Sequence, residues 1–161
     1  MREKTSEHPV IAPTTTYNRK NKLTKITSQI IKIAASPSEV SCGASYAYKE
    51  QQEKDGVCLF YISAVNSRPV WRKVDSIVIS FGSFSTCFNV DQTNRIITVG
   101  VNKYKVQCVV AVLPYSVLKR VCRARSLKIA VGETSFVVFN AQMKPLKKLA
   151  STLKTILEGS S

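Results

Sequence analysis

The sequence predicts an α+β fold in which an antiparallel β-meander is followed by a short helix, a β-hairpin and a C-terminal amphipathic helix packed on one sheet face. Between residues 57 and 113, short runs of β-branched and aromatic residues recur between turn residues. After Pro114 the apolar residues change to helical spacing. Strands and helices do not alternate along the chain, which argues against a parallel sheet.

The N-terminal part of the chain divides into two segments of different composition. Residues 1–22 are polar and charged with few apolar residues, and they therefore predict a disordered basic arm. Residues 23–161 are predicted to form a single domain, because their number suits one hydrophobic core. Within it, apolar residues at partly helical spacing predict a helix over 23–35, although their β-branched side chains favour a strand. Pro37, between two serines, ends this segment.

The middle of the chain carries the strand signals. The runs of β-branched, aromatic and apolar residues predict strands over 57–65, 75–81, 84–90, 96–101 and 104–113. Turn residues separate them at 66–69, at Gly82, at 91–94 and at 102–103. Short strands joined by tight turns at this spacing predict the antiparallel meander.

The last third of the chain predicts two helices around a hairpin. Pro114 begins a short helix that ends near Arg125, and its apolar residues share one helical face. Strands over 127–131 and 135–139 flank Gly132, whose turn chemistry predicts a hairpin. A final amphipathic helix runs from Pro145 to Gly159.

Residue types that carry catalysis are scarce. The single histidine, His8, lies in the predicted arm, whereas a general base needs a rigid position. No glycine-rich phosphate loop, nucleophile elbow or paired carboxylates occur in the sequence. We therefore predict that the protein is not an enzyme and that it uses no cofactor and no metal. A cysteine nucleophile is the remaining enzymatic alternative.

Five cysteines bear on the compartment. Their number is odd, no two have the C-x₂-C spacing of a zinc site, and several lie in apolar runs, so we predict reduced, buried thiols: Cys42, Cys58, Cys87, Cys108 and Cys122. Reduced thiols favour a reducing compartment such as the cytoplasm. No secretory signal peptide or transmembrane segment is evident, and export by a route that needs no signal peptide stays open.

The charge balance predicts a polyanionic partner. Twenty-four Lys and Arg residues face ten Asp and Glu residues, which gives a formal net charge of +14. An excess of this size repels itself within a compact fold, and a partner of opposite charge would offset that repulsion. The leading hypothesis is a non-enzymatic basic protein that binds nucleic acid mainly through phosphate contacts. The predicted contact residues are Trp71, Arg72, Lys73, Lys119, Arg120, Arg123, Arg125 and Lys128.

Each group of contacts has a plainer alternative. The cations from Lys119 to Arg125 share the polar side of a short helix, which is also what an ordinary solvated helix face looks like. Trp71 lies between cations, as in proteins that stack bases of single-stranded nucleic acid, but a large aromatic residue beside a valine is more often part of a core. The alternative function is a protein–protein interaction module, an accessory subunit or exported effector, that docks an acidic protein or an anionic membrane surface.

Overall fold

The computed structural model describes residues 12–34 and 38–159. In this part of the chain, a ten-stranded antiparallel sheet accompanies two α-helices. The strands are β1 Thr14–Asn18, β2 Leu23–Thr27, β3 Ile31–Ala34, β4 Glu39–Lys49, β5 Val57–Asn66, β6 Ser76–Phe81, β7 Phe84–Val99, β8 Asn102–Leu113, β9 Leu127–Val131 and β10 Thr134–Val138. The helices are α1 Tyr115–Arg123 and α2 Lys144–Leu157. The predicted α+β class is confirmed.

The sheet follows the order β1-β2-β4-β5-β8-β7-β6-β9-β10, with β3 also paired to β4. The long strand β7 pairs with a different neighbour along each part of its length: residues 84–89 pair with β6 and residues 90–99 pair with β8. At the other end, β10 contacts β3, and the Gln142 Nε2 donates to the Lys32 carbonyl at 3.1 Å. The sheet therefore curls until its two ends approach each other.

The concave side of this curled sheet holds the core. On β5 every second residue from Cys58 to Ala64 is buried, and the paired residues of β8, from Val109 to Leu113, are buried with them. Helix α1 buries Leu118, Val121 and Cys122. Helix α2 packs against α1 and β4 through its apolar stripe, which comprises Leu146, Leu149, Ala150 and Leu153. Apolar burial of this kind is the main stabilising contribution, at about 1.5–3 kcal/mol for each large side chain.

The N-terminal predictions need correction. The helix predicted over 23–35 is wrong, because these residues form β2 and β3, both paired with β4. Their β-branched side chains pack in a sheet, and the neighbouring strand outweighs the partly helical spacing. Strand β4 itself was not predicted, because its small residues from Ser41 to Ser45 show no alternation.

The predicted disordered arm is only partly described. Within it, β1 pairs with β2 over the whole of Thr14–Asn18, so this stretch belongs to the sheet. Its threonines are β-branched and suit a strand once a partner is available. Residues 1–11 lie outside the described residues.

Two predicted turns are also corrected. The strands predicted over 84–90 and 96–101 are one strand, β7, and the predicted turn at 91–94 is absent because these residues pair with β8. The reversal between β7 and β8 lies at Gly100–Val101 rather than at 102–103. Gly100 has a φ of +62°, which a glycine adopts without strain. By contrast, α1, the β9–β10 hairpin and α2 lie close to the predicted positions.

Candidate polyanion-binding groove

The loop of residues 67–75, between β5 and β6, is held against the sheet by two glutamine side chains. Gln107 is buried on β8, and its Oε1 accepts hydrogen bonds from the Val70 N–H at 2.6 Å and the Trp71 N–H at 2.9 Å. Its Nε2 donates to the Trp71 carbonyl at 2.6 Å. Gln92 on β7 accepts from the Val74 N–H at 2.7 Å. The buried Gln107 amide makes three bonds to this loop and the half-buried Gln92 adds one, which gives the loop a defined position.

The tryptophan of this loop is part of the core. Trp71 is 5% exposed, and its indole N–H donates to the Thr134 Oγ1 at 3.1 Å. Its ring meets Phe136 edge to face, with centroids 6.4 Å apart. This burial leaves little of the Trp71 ring for a base to stack on, and its contact with nucleic acid stays a prediction. The alternative that the sequence left open, a structural tryptophan, is what the fold uses.

Beside Trp71, the loop and the two long strands enclose a groove of about 810 Å³. Arg72 and Lys73 lie on its loop wall, Arg95 comes from β7 and Lys105 from β8. Ile96 pairs with Lys105 and Asn94 with Gln107, so these two pairs share the sheet face that lines the groove. Arg95 lies between Asn94 and Ile96, so its backbone borders the groove while its side chain points to the opposite face. The remaining lining residues are Pro69, Trp71, Val74, Asp75, Val90, Asp91 and Gln92.

Positive charge dominates the groove. The side chains of Arg72, Lys73 and Lys105 face one carboxylate, that of Asp75, because Asp91, like Arg95, points to the opposite face of β7. Lys73 and Asp75 form an ion pair of 3.9 Å in which both side chains are exposed, and a pair of this kind contributes little stability. Within residues 12–34 and 38–159, Arg72 and Lys105 have no carboxylate within ion-pair distance. The groove therefore presents at least two uncompensated cations from different segments of the chain.

Helix α1 carries the second basic surface. Lys119, Arg120 and Arg123 line a shallow hollow of about 310 Å³ together with Phe81. The Arg120 guanidinium lies 4.6 Å from the ring centroid of Phe84, which is stacked on Phe81. This contact fixes the direction of the arginine.

One of the α1 cations is already paired. The Lys119 ammonium donates to the Glu158 carboxylate, and this bond lowers the Glu158 pKa. Tyr115 donates to the other oxygen of the same carboxylate at 3.3 Å. The cations of this surface that an anion could contact are therefore mainly Arg120 and Arg123.

The fold does not bring all the predicted contact residues together. The loop with Arg72 precedes β6 and the α1 surface adjoins its last residue, so the length of β6 separates the two groups, about 17–20 Å. Lys128 on β9 pairs with Ser80, so it faces away from Phe81 and the α1 hollow. Arg125 is exposed in the turn between α1 and β9.

Sequence reasoning missed the strand residues of the groove. On β8 every second residue from Leu113 back to Val109 is apolar and buried, and the same face continues through Gln107 and Lys105. That change from apolar to polar along one strand face was the available signal. It marks the point at which the interior of the sheet opens to solvent.

The cysteines divide between core and surface. Cys42, Cys58 and Cys122 are buried, Cys108 is half-buried and Cys87 is exposed, so burial was predicted correctly for three of the five. Burial raises the pKa of Cys42 and of Cys122 to about 12 and that of Cys58 to about 11. Thiols with such pKa values are neutral and unreactive at neutral pH.

The described residues contain neither a cluster of metal ligands nor a helix suited to cross a membrane. No group of three or more His, Cys, Asp or Glu side chains in this part of the chain is arranged to hold a metal ion. None of its helices has the length and apolar character needed to cross a membrane. Comparison with known protein families, curated proteins and solved structures finds no match to this chain.

Proposed function

We propose that this protein binds nucleic acid through its phosphates, with the groove between the 67–75 loop and strands β7 and β8 as the main contact surface. The observation that carries the proposal is the convergence of Arg72, Lys73 and Lys105, from a loop and a distant strand, on one concave surface. Cations that converge in a groove concentrate the positive potential there. Phosphate contacts of this kind position a chain without reading its sequence.

The shape of the groove favours a single strand as the ligand. The cations come from a loop wall and a strand floor, and a groove with cations along it can follow the backbone of one strand. The amide side chains of Asn94 and Gln92 add hydrogen-bonding groups between the cations. The α1 surface, with Arg120 and Arg123, supports the proposal as a second phosphate contact on the same strand.

Salt dependence of binding tests this proposal. Three phosphate contacts on a single strand predict that log K falls against log salt with a slope of about −2, at about 0.7 for each contact. The double variant Arg72→Gln/Lys105→Gln should reduce this slope by about 1.4 and weaken binding about 25-fold at about 0.1 M salt. Fluorescence anisotropy with labelled single-stranded RNA and DNA of mixed sequence measures both quantities.

A matched variant separates the groove from net charge. Lys144→Gln/Lys148→Gln removes the same charge from exposed positions of α2 and should change the affinity about twofold or less. Equal losses in the two double variants would show that net charge alone drives binding. Absence of binding to either nucleic acid at low ionic strength would refute the function, and the interaction module that docks an acidic protein would then be the better hypothesis.

A further inference from the structure

The tip of the β7–β8 hairpin exposes aliphatic side chains that are not part of the hydrophobic core. Val101 is 96% exposed and Val99 is 60% exposed, and the two lie on either side of Gly100. An exposed valine at a turn stabilises neither the turn nor a core. Single exposed apolar residues are ordinary on a protein surface, but a cluster at a projecting tip is typical of an interaction site.

The other hairpins of the same sheet provide an internal comparison. Three hairpins of the described residues reverse through two-residue loops that begin with a glycine at positive φ: Gly82–Ser83, Gly100–Val101 and Gly132–Glu133. The second residue of the loop is therefore Ser83 in the first of these turns, Val101 in the second and Glu133 in the third. Polar residues suit this solvated position. The valine at position 101 is the exception, and the turn geometry gives no reason for it.

The tip also projects beyond the rest of the sheet. Pairing of β8 with β5 ends at Lys105, opposite Asn66, whereas β7 and β8 pair with each other for three more residue pairs, up to Val99 and Asn102. At about 3.4 Å for each residue, the hairpin extends about 10 Å past its neighbour. A tip of this shape can enter a surface before the body of the protein reaches it.

The charges around the tip are of one sign. Lys103 lies one pair behind Val99, and Lys105 and Arg95 lie further back on the same two strands. The sequence has no acidic residue between Asp91 and Glu133. Apolar side chains at the end of a projection, with cations set back from it, match the order of an anionic bilayer surface, in which acyl chains lie beneath charged headgroups.

We propose that the β7–β8 hairpin docks on an anionic lipid bilayer, with Val99 and Val101 inserted among the acyl chains and Lys103 at the headgroups. A fluid bilayer takes up a narrow tip without a complementary pocket. A protein partner is less well matched, because two valine side chains present far less than the roughly 800 Å² that a stable interface buries on each side. This proposal is independent of the nucleic-acid groove, because Val99, Val101 and Lys103 do not line it.

Vesicle sedimentation of the full chain tests the docking. The protein should bind vesicles of phosphatidylcholine with about 30 mol% phosphatidylserine more tightly than vesicles of phosphatidylcholine alone. Val99→Ser/Val101→Ser should weaken binding about tenfold or more, because the inserted apolar surface is lost. Lys103→Gln should weaken it about fivefold on the anionic vesicles only. Equal binding of the wild-type protein to both vesicles would overturn the proposal.

Two further variants establish that the effect belongs to the tip. Val57→Ser/Val112→Ser removes two valines that are exposed elsewhere on the sheet, 47% and 62%, and should leave vesicle binding unchanged. Val101→Trp should show a blue-shifted emission on vesicles and quenching by brominated lipid acyl chains, while the buried Trp71 gives a constant background. A tip variant that lost nucleic-acid affinity and kept vesicle affinity would overturn the membrane proposal and assign the tip to the nucleic-acid surface.

Discussion

Gln107 should be the most sensitive polar residue of this fold, because one buried amide holds the loop that forms the groove wall. In Gln107→Leu, the Val70 and Trp71 N–H groups lose their acceptor and the Trp71 carbonyl loses its donor. Each buried polar group left unpaired costs about 1–3 kcal/mol, and Val70 is only partly buried, so we expect a loss of about 3–5 kcal/mol. This is a large part of the roughly 5–15 kcal/mol that stabilises a typical domain.

Urea unfolding followed by tryptophan emission measures this loss. Trp71 is the only tryptophan and is buried, so a released loop should also shift the native emission to the red. Gln92→Leu removes one bond to the loop, that of the Val74 N–H, and should cost about 1–2 kcal/mol. Gln52→Leu, at an exposed position, should stay within about 0.5 kcal/mol of the wild-type protein.

A mild effect would refute this reasoning. If Gln107→Leu unfolds within about 1 kcal/mol of the wild-type protein and keeps its emission maximum, other contacts hold the loop and the amide bonds add little. If stability falls as expected, the same variant should also bind single-stranded nucleic acid more weakly, because Arg72 would no longer be held at the groove.

Three further outcomes follow from the core. Burial keeps Cys42 and Cys122 protonated in the folded state up to about pH 12, whereas the unfolded chain ionises them above about pH 9, so folding stability should fall as the pH rises through this window. Cys58, whose pKa burial raises to about 11, adds to this loss, so denaturant unfolding should give a free energy about 4 kcal/mol lower at about pH 10 than at about pH 8, and about two-thirds of that loss in Cys42→Ala. A thiol reagent should label Cys87 first in the native protein, and rapid labelling of the buried thiols would contradict their placement. Gly56→Ala should cost about 1–3 kcal/mol in a thermal or urea melt, because its Cβ would lie 2.6 Å from the hydroxyl of the buried Tyr46, and an unchanged melt would contradict that contact.

The elements that were predicted correctly are those whose signal is local. The helix after Pro114, the hairpin around Gly132 and the amphipathic helix α2 each show their own period and their own turn residues within a dozen positions. The strands from 57 to 113 were found for the same reason, although their turns were not all placed correctly. The polar stretch at 91–94 looks like a turn, and only its pairing with β8 makes it part of a strand.

The candidate site was predicted only in part. The sequence identified Arg72 and Lys73, but it grouped them with α1 cations that lie at the other end of β6. It could not add Lys105, because the pairing of β7 with β8 and the position of the loop bring this residue to the groove. A residue's neighbours across a sheet depend on register, which no single segment encodes.

Composition and periodicity were therefore sufficient for the α+β class, the basic character and most of the later elements, since these depend on each residue and its near neighbours. The curl of the sheet, the strand character of residues 23–34, the burial of Trp71 and the meeting of three cations in one groove depended on the folded chain. The physical reason is that strand pairing and side-chain burial are interactions between distant segments, whose free energy exists only once those segments are in contact.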